Sequence, residues 1–114
     1  MLGGGLTLGP WMLVLIAGIL EIVWALGFKY VGRDAPLWQH LIIFTALIAS
    51  FALLIEALKV LPAGTAYAVW TGIGAVGVAA IGIAVFKEPA TLARIACIGL
   101  IVAGIIGLKL STSS

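Results

Sequence analysis

The chain contains few charged residues, with six Lys and Arg and four Asp and Glu among 114 positions. Soluble domains carry roughly a quarter charged residues, and a small fold cannot bury a chain that is 64% apolar. The same apolar content excludes intrinsic disorder. A net charge of +2 on scattered side chains excludes a nucleic-acid-binding surface. The composition therefore predicts an integral protein of the plasma or inner membrane that crosses it several times.

Cysteine and histidine are also scarce. The one cysteine, Cys97, lies in an apolar run, so there is neither a disulfide framework nor a cluster of metal ligands. The glycines at 72, 74 and 77 have the spacing of a dinucleotide fingerprint, but they lack the preceding strand and the later acidic residue that such a site needs. We expect no metal, no cofactor and no enzymatic activity.

Four long apolar segments divide the sequence. A membrane-spanning helix needs about 20 apolar residues, which is too long for a barrel strand. The segments predict spans at about residues 11–28, 37–60, 65–86 and 91–108, with residues 1–9 as an N-terminal extension. The short connections predict an all-α membrane protein, residues 1–114 forming a single domain in which four transmembrane helices run up, down, up and down.

The basic residues are almost evenly divided between the two sides of the membrane. Helix parity places Lys29, Arg33, Lys87 and Arg94 on one side and Lys59 and Lys109 on the other. So weak a bias permits insertion in both orientations. Two antiparallel copies would supply the inverted symmetry that transporters commonly use. We therefore expect an antiparallel, dual-topology homodimer, although a singly oriented chain and a heterodimer with a homologous chain are alternatives.

Glu21 is the most informative residue, because it lies near the middle of the first span. Lys29 is roughly 12 Å further along the helix axis, and no other basic residue lies near mid-bilayer. A buried carboxyl group without a cation is stabilised in its protonated form, and acids that persist inside the membrane are usually functional. Two copies of Glu21 in a dimer would bind either protons or a small cation. The alternative is that protonated Glu21 only joins helices by a hydrogen bond.

The neighbours of Glu21 on its helix are suited to a binding site. Gly18 leaves space beside the carboxyl group, and Trp24 offers an indole N–H and a ring face that attracts cations. Ser50 lies near the middle of the second span. Its alternative role is a hydrogen bond to the Ala46 carbonyl of its own helix.

One face of the third span combines aromatic, polar and small residues at three- and four-residue spacing: Tyr67, Trp70, Thr71 and Gly74. We predict that this face lines a pocket, with an interfacial aromatic belt as the alternative. The glycines of this span predict close helix packing or bending. The acids and the histidine near helix ends are interpreted as solvated or interfacial residues without a substrate role: Asp34, His40, Glu56 and Glu88.

Several segments together resemble the small multidrug resistance transporters. They are GILEIVWA at 18–25, KY at 29–30, LPAGTAYAVWTGIG at 61–74 and FKEP at 86–89. The resemblance extends from about Trp11 to Lys109. Within the family, Trp24, the Lys87-Glu88 pair and GIIGLK at 104–109 are similar to the guanidinium-exporter subtype.

This resemblance implies an antiparallel homodimer in the lipid bilayer that exchanges two protons for one guanidinium ion. Glu21 would bind both protons and substrate, Trp24 and Ser50 would hydrogen-bond it, and the aromatic pair Tyr67 and Trp70 would line the pocket. A kink at Gly72-Ile73-Gly74 would allow the third helix to bend, and the fourth helix would form most of the dimer contact.

Some features depart from the family pattern. Residues 1–9 are an extension, the loop at 31–36 lacks the expected aromatic and hydroxyl residues, and Glu56 is an unexpected acid. The nearest alternative function is export of quaternary ammonium or other multidrug cations by the same fold. A non-transporting membrane assembly subunit and a proton-conducting ring protein are alternatives of another class.

Overall fold

The computed structural model describes residues 9–111, which form four α-helices and short connections. The helices are α1 (Pro10–Tyr30), α2 (Leu37–Leu58), α3 (Ala63–Ala84) and α4 (Leu92–Ser111). Each is long and apolar enough to cross a membrane, which confirms an all-α chain with four candidate spans. The predicted N-terminal extension lies outside the described residues except for Gly9, which caps α1.

Proline residues mark the start of three helices. Pro10 is the first residue of α1, where its missing N–H leaves no hydrogen bond unmade. Pro36 and Pro62 are the N-cap residues of α2 and α3, with extended backbone. The sequence suggested Pro62 as a first helical residue, and it lies one position earlier.

The buried core lies towards one end of the molecule. It combines the first half of α1, the last half of α2 and the turn after it, and the first half of α3. Its members are Leu13, Val14, Ala17, Leu54, Ala57, Leu61, Ala66, Val69 and Trp70. Helix α1 packs against both α2 and α3, so it is the central helix of this unit.

The fourth helix departs from the four-helix bundle that the sequence predicted. Helix α4 packs on α3 and has no buried residue. Near its end, the Lys109 ammonium lies 5.1 Å from the centroid of the Trp11 ring. In a bilayer, lipid tails are as apolar as leucine side chains, so an apolar helix needs no enclosure by its own chain. One chain is therefore three packed helices with a peripheral fourth.

Glycines bring α1 and α3 into close contact. A Cβ atom at Gly18 would overlap the side chain of Ile73, and one at Gly77 would overlap Ile22. Such close approach replaces hydrophobic association, which is absent between helices in lipid. Gly72 has a different role, because it faces Ile105 of α4. The prediction of close packing through small residues is confirmed at these positions.

The turn between α3 and α4 is joined to the end of α1 by Glu88. The Tyr30 hydroxyl donates to Glu88 Oε2 at 3.1 Å, and Arg94 forms an ion pair with the other oxygen. The Tyr30 ring also stacks on Phe86, with 3.7 Å between ring centroids. The hydrogen bonds from Arg94 and Tyr30 lower the pKa of Glu88, so the ion pair persists until the pH falls below the ordinary glutamate range. Glu88 therefore has protein partners near the membrane surface, which the sequence did not predict, and its lack of a substrate role stays a prediction.

Candidate functional site

Glu21 lies in the middle of α1 and faces α3 at Gly74. A Cβ atom at Gly74 would overlap the Glu21 carboxyl group, so a larger residue there would displace this group from its present position. The Oε1 atom of Glu21 is buried and accepts no hydrogen bond from the part of the chain that the structure describes. The ion pairs within that part join other residues, Lys59 with Glu56 and Arg94 with Glu88. The described part of the chain thus contains a carboxyl group within a spanning helix that no basic side chain of that part neutralises.

Ser50 joins three helices through its hydroxyl group. It donates a hydrogen bond to the Ala17 carbonyl of α1 at 2.7 Å and accepts one from Trp70 Nε1 of α3 at 3.0 Å. Ser50 is fully buried and Trp70 nearly so. The alternative of a bond to Ala46 was wrong. The implied bond to Glu21 is also not formed here, because the only hydroxyl proton is donated to Ala17.

Four aromatic side chains form a row beside this hydrogen-bond network. Ring centroids lie 6.3 Å apart between Trp24 and Phe51, 5.1 Å between Phe51 and Trp70, and 5.6 Å between Trp70 and Tyr67. These separations are typical of favourable aromatic pairs. The row brings Trp24 of α1 together with the two aromatic residues of α3, and the lining of a pocket by these residues stays a prediction.

Two buried polar atoms of α1 have no partner in the part of the chain that the structure describes. Trp24 Nε1 is buried and donates no hydrogen bond within residues 9–111, like Oε1 of Glu21 one turn before it. Unpaired buried polar groups are costly, and in native structures they usually mark a ligand, a water molecule or a functional group. The described residues thus leave one buried donor and one buried acceptor without a hydrogen bond.

The other predicted residues are placed less centrally. The Thr71 hydroxyl bonds to the Tyr67 and Ala68 carbonyls of its own helix, and Tyr67 is 57% exposed. Gly72 faces α4, whereas Gly74 faces Glu21. Helix α3 is continuous through both glycines, so they act here as contact points, and bending stays a prediction.

The place of Phe51 in the aromatic row was not predicted from the sequence. It stands directly after Ser50, yet it looked like any other apolar residue of a span. The available signal was its position, because consecutive residues on a helix are rotated by only about 100° and can both border a polar pocket. Its contacts, stacked on Trp24 and edge-on to Trp70, could not be read from the sequence, since they depend on how α2 crosses the other two helices.

We expect Ser50→Ala to destabilise the protein. The change leaves the buried Trp70 N–H without an acceptor, which costs about 1–3 kcal/mol of the free energy of unfolding. Chemical unfolding in mixed micelles measures this loss. Ser111→Ala is the control, because that hydroxyl bonds only to its own helix end. Equal stabilities of the two variants would contradict the bridging role of Ser50.

Comparison with known proteins agrees with this architecture. Residues 9–101 match the family model described as Small Multidrug Resistance protein. A protein of Salmonella typhimurium named guanidinium exporter is 57% identical over 101 residues, covering 89% of this chain and 96% of its own length. Proteins with the same name from Yersinia pseudotuberculosis and Citrobacter freundii are 56% and 57% identical over 102 residues, covering 90% of this chain and 98% and 97% of theirs.

The family match and the four helices of spanning length confirm the expected location as a multi-pass protein of the inner membrane. They also confirm the resemblance drawn from the segments around Glu21 and Trp70. The chain therefore belongs to the small multidrug resistance family.

Proposed function

We propose that this protein exports guanidinium in exchange for protons, with Glu21 as the group that binds both. The observation that carries the proposal is the Glu21 carboxyl group, which is embedded in a spanning helix with an unpartnered oxygen. A group so placed is available to hydrogen ions or to a cation from solution. The name guanidinium exporter of the similar proteins supports the same substrate class.

The working unit is an antiparallel homodimer in which two copies of Glu21 face one site. Helix α4 supports this assembly, because it has no buried residue and offers a long apolar surface for a second copy. The four-to-two distribution of basic side chains allows both orientations in the membrane. Two oppositely oriented copies would supply the symmetry needed for access from either side.

The paired carboxylates account for coupling without separate gates. When both are ionised, they bind one guanidinium ion and keep one negative charge. When both are protonated, they have no charge with which to hold the ion. Protons and guanidinium therefore exclude each other, and a cycle moves two protons one way and one guanidinium ion the other. The exchange transfers one net positive charge, so it generates an electrical current.

The surrounding residues would orient the carboxylates and enclose the substrate. The unpartnered Trp24 N–H is a donor for a Glu21 carboxylate, and Ser50 would hold Trp70 in position. Trp70 and Tyr67 would line the pocket on the α3 side. Gly18 and Gly74 permit the close approach of α1 and α3 around the carboxyl group, and Thr71 and Gly72 would support the same part of α3.

Guanidinium chemistry fits such a site better than that of a quaternary ammonium ion. Guanidinium is planar and offers paired N–H groups that match the two oxygens of a carboxylate. A quaternary ammonium ion has no N–H group, so carboxylates could attract it only by charge. The open oxygen of Glu21 favours a substrate that donates hydrogen bonds.

The test is solid-supported membrane electrophysiology of the reconstituted protein with guanidinium over a pH series. We expect guanidinium to evoke currents and tetraethylammonium to evoke none. The apparent guanidinium affinity should fall as the pH falls, by about tenfold per pH unit for each proton displaced. An affinity that does not change with pH would contradict shared binding. Larger currents with aromatic or quaternary cations would favour multidrug export instead.

A further inference from the structure

A cavity of about 220 Å³ lies between the end of α1 and the start of α2. Its wall is apolar and includes Phe28, Ile43 and Phe44, with the two phenylalanine rings in edge-to-face contact at 5.7 Å. Its polar lining is formed by Arg33 and His40. The cavity therefore combines an apolar wall within the spans with basic groups at the membrane surface.

The two basic groups of the cavity have no partner among the residues that the structure describes. Neither the Arg33 guanidinium nor the His40 imidazole forms a hydrogen bond or an ion pair within residues 9–111. On the same side of the molecule, Arg94 is neutralised by Glu88, and Lys29 lies over the ring of Tyr30. Arg33 and His40 are thus free to donate hydrogen bonds to an anion.

The start of α2 adds a third positive feature. The N-cap residue Pro36 provides no side-chain cap, and α2 has no acid in its first turn. His40 belongs to that turn. The positive end of the helix dipole favours an anion. Asp34, the acid that follows Arg33 in the sequence, is exposed and is not part of the cavity lining.

We propose that this cavity binds the phosphate of an anionic glycerophospholipid. Arg33, His40 and the start of α2 would hold the phosphate, while the apolar wall would contact the glycerol and the first part of an acyl chain. A soluble phosphate would leave that wall unused, and a zwitterionic lipid brings its own ammonium group to the same positive surface. The site is separate from Glu21 and does not require that the chain transport anything.

The test is native mass spectrometry of the detergent-solubilised protein with phosphatidylglycerol or phosphatidylcholine added. We expect the wild type to retain phosphatidylglycerol in preference to phosphatidylcholine. Arg33→Gln should weaken phosphatidylglycerol binding by about fivefold, and adding His40→Gln should weaken it further. Arg33→Lys should restore most of the binding, because it returns the positive charge.

The matched control is Lys87→Asn, which removes a positive charge from the same side of the membrane but outside the cavity. Asparagine also tolerates the left-handed backbone at this position, where φ is 57°. We expect this variant to bind phosphatidylglycerol like the wild type. Equal losses in the Arg33 and Lys87 variants would show general attraction to a positive surface and would overturn the proposal.

A final measurement distinguishes binding of a lipid from binding of a soluble anion. Inorganic phosphate at millimolar concentration should not displace phosphatidylglycerol from the wild type. Displacement would identify a site for free phosphate and would overturn the assignment to lipid. Circular dichroism of each variant verifies that the helices are retained, and a folded double variant that keeps full phosphatidylglycerol binding would also overturn it.

Discussion

Glu21→Gln is expected to abolish guanidinium–proton exchange while the helices remain folded. Glutamine has nearly the same shape, so the packing of α1 against Gly74 is kept. It cannot release a proton or carry a negative charge at any accessible pH, so neither proton transfer nor cation binding is possible. Currents evoked by guanidinium in proteoliposomes should fall to the level of protein-free membranes, and binding of guanidinium should be lost.

The control for this variant is Glu56→Gln. Glu56 lies at the end of α2, where it pairs with Lys59 at 2.9 Å, and the change removes one carboxylate without affecting the proposed site. We expect its currents to match those of the wild type. Coupled exchange that survives in Glu21→Gln would refute Glu21 as the shared binding group. The same size-exclusion profile for both variants verifies that an absent current is not caused by misfolding.

Gly74→Ala is expected to have the second largest effect. The added methyl group would occupy the volume of the Glu21 carboxyl group and push it from its present position. A displacement of about 1 Å at a binding group can cost about 100-fold in rate, so we expect a loss of guanidinium transport of that size. Exchange rates measured in proteoliposomes at equal protein content give the comparison.

Gly64→Ala is the matched control, because no atom lies within 4 Å of a Cβ at that position of α3. Alanine there improves helix propensity without a new contact. We expect normal transport from this variant and an unchanged yield of folded protein from both. If the Gly74→Ala variant transported guanidinium as fast as the Gly64→Ala variant, the close contact between α3 and the Glu21 carboxyl group would not be needed for transport.

Much of the architecture follows from hydropathy. Four apolar segments of spanning length and their proline-containing connections predict the helices to within a few residues, because hydrocarbon requires the backbone to satisfy its own hydrogen bonds. Glu21 is conspicuous for the same reason, since a charged group inside an apolar run has a high cost. The glycines of α3 likewise predict close helix contacts.

The specific partners could not be predicted in this way. Ser50 has several acceptors within reach on any helix, and only the crossing of α2 over α1 selects the carbonyl of Ala17. Phe51 and Glu88 are similar cases, because their contacts join residues far apart in the chain. The peripheral position of α4 was missed because hydropathy measures affinity for hydrocarbon and does not distinguish lipid from protein as the surroundings.

The bridge from Trp70 through Ser50 to Ala17 has a consequence for motion. Breaking these hydrogen bonds would leave buried polar groups without partners, which is costly. We therefore expect α1, α2 and α3 to move together as one rigid body. Sliding of one of these helices past another is then disfavoured. Opening towards either side of the membrane would take place by tilting of whole three-helix blocks, with flexing concentrated where the left-handed backbone of Lys87 leads into α4.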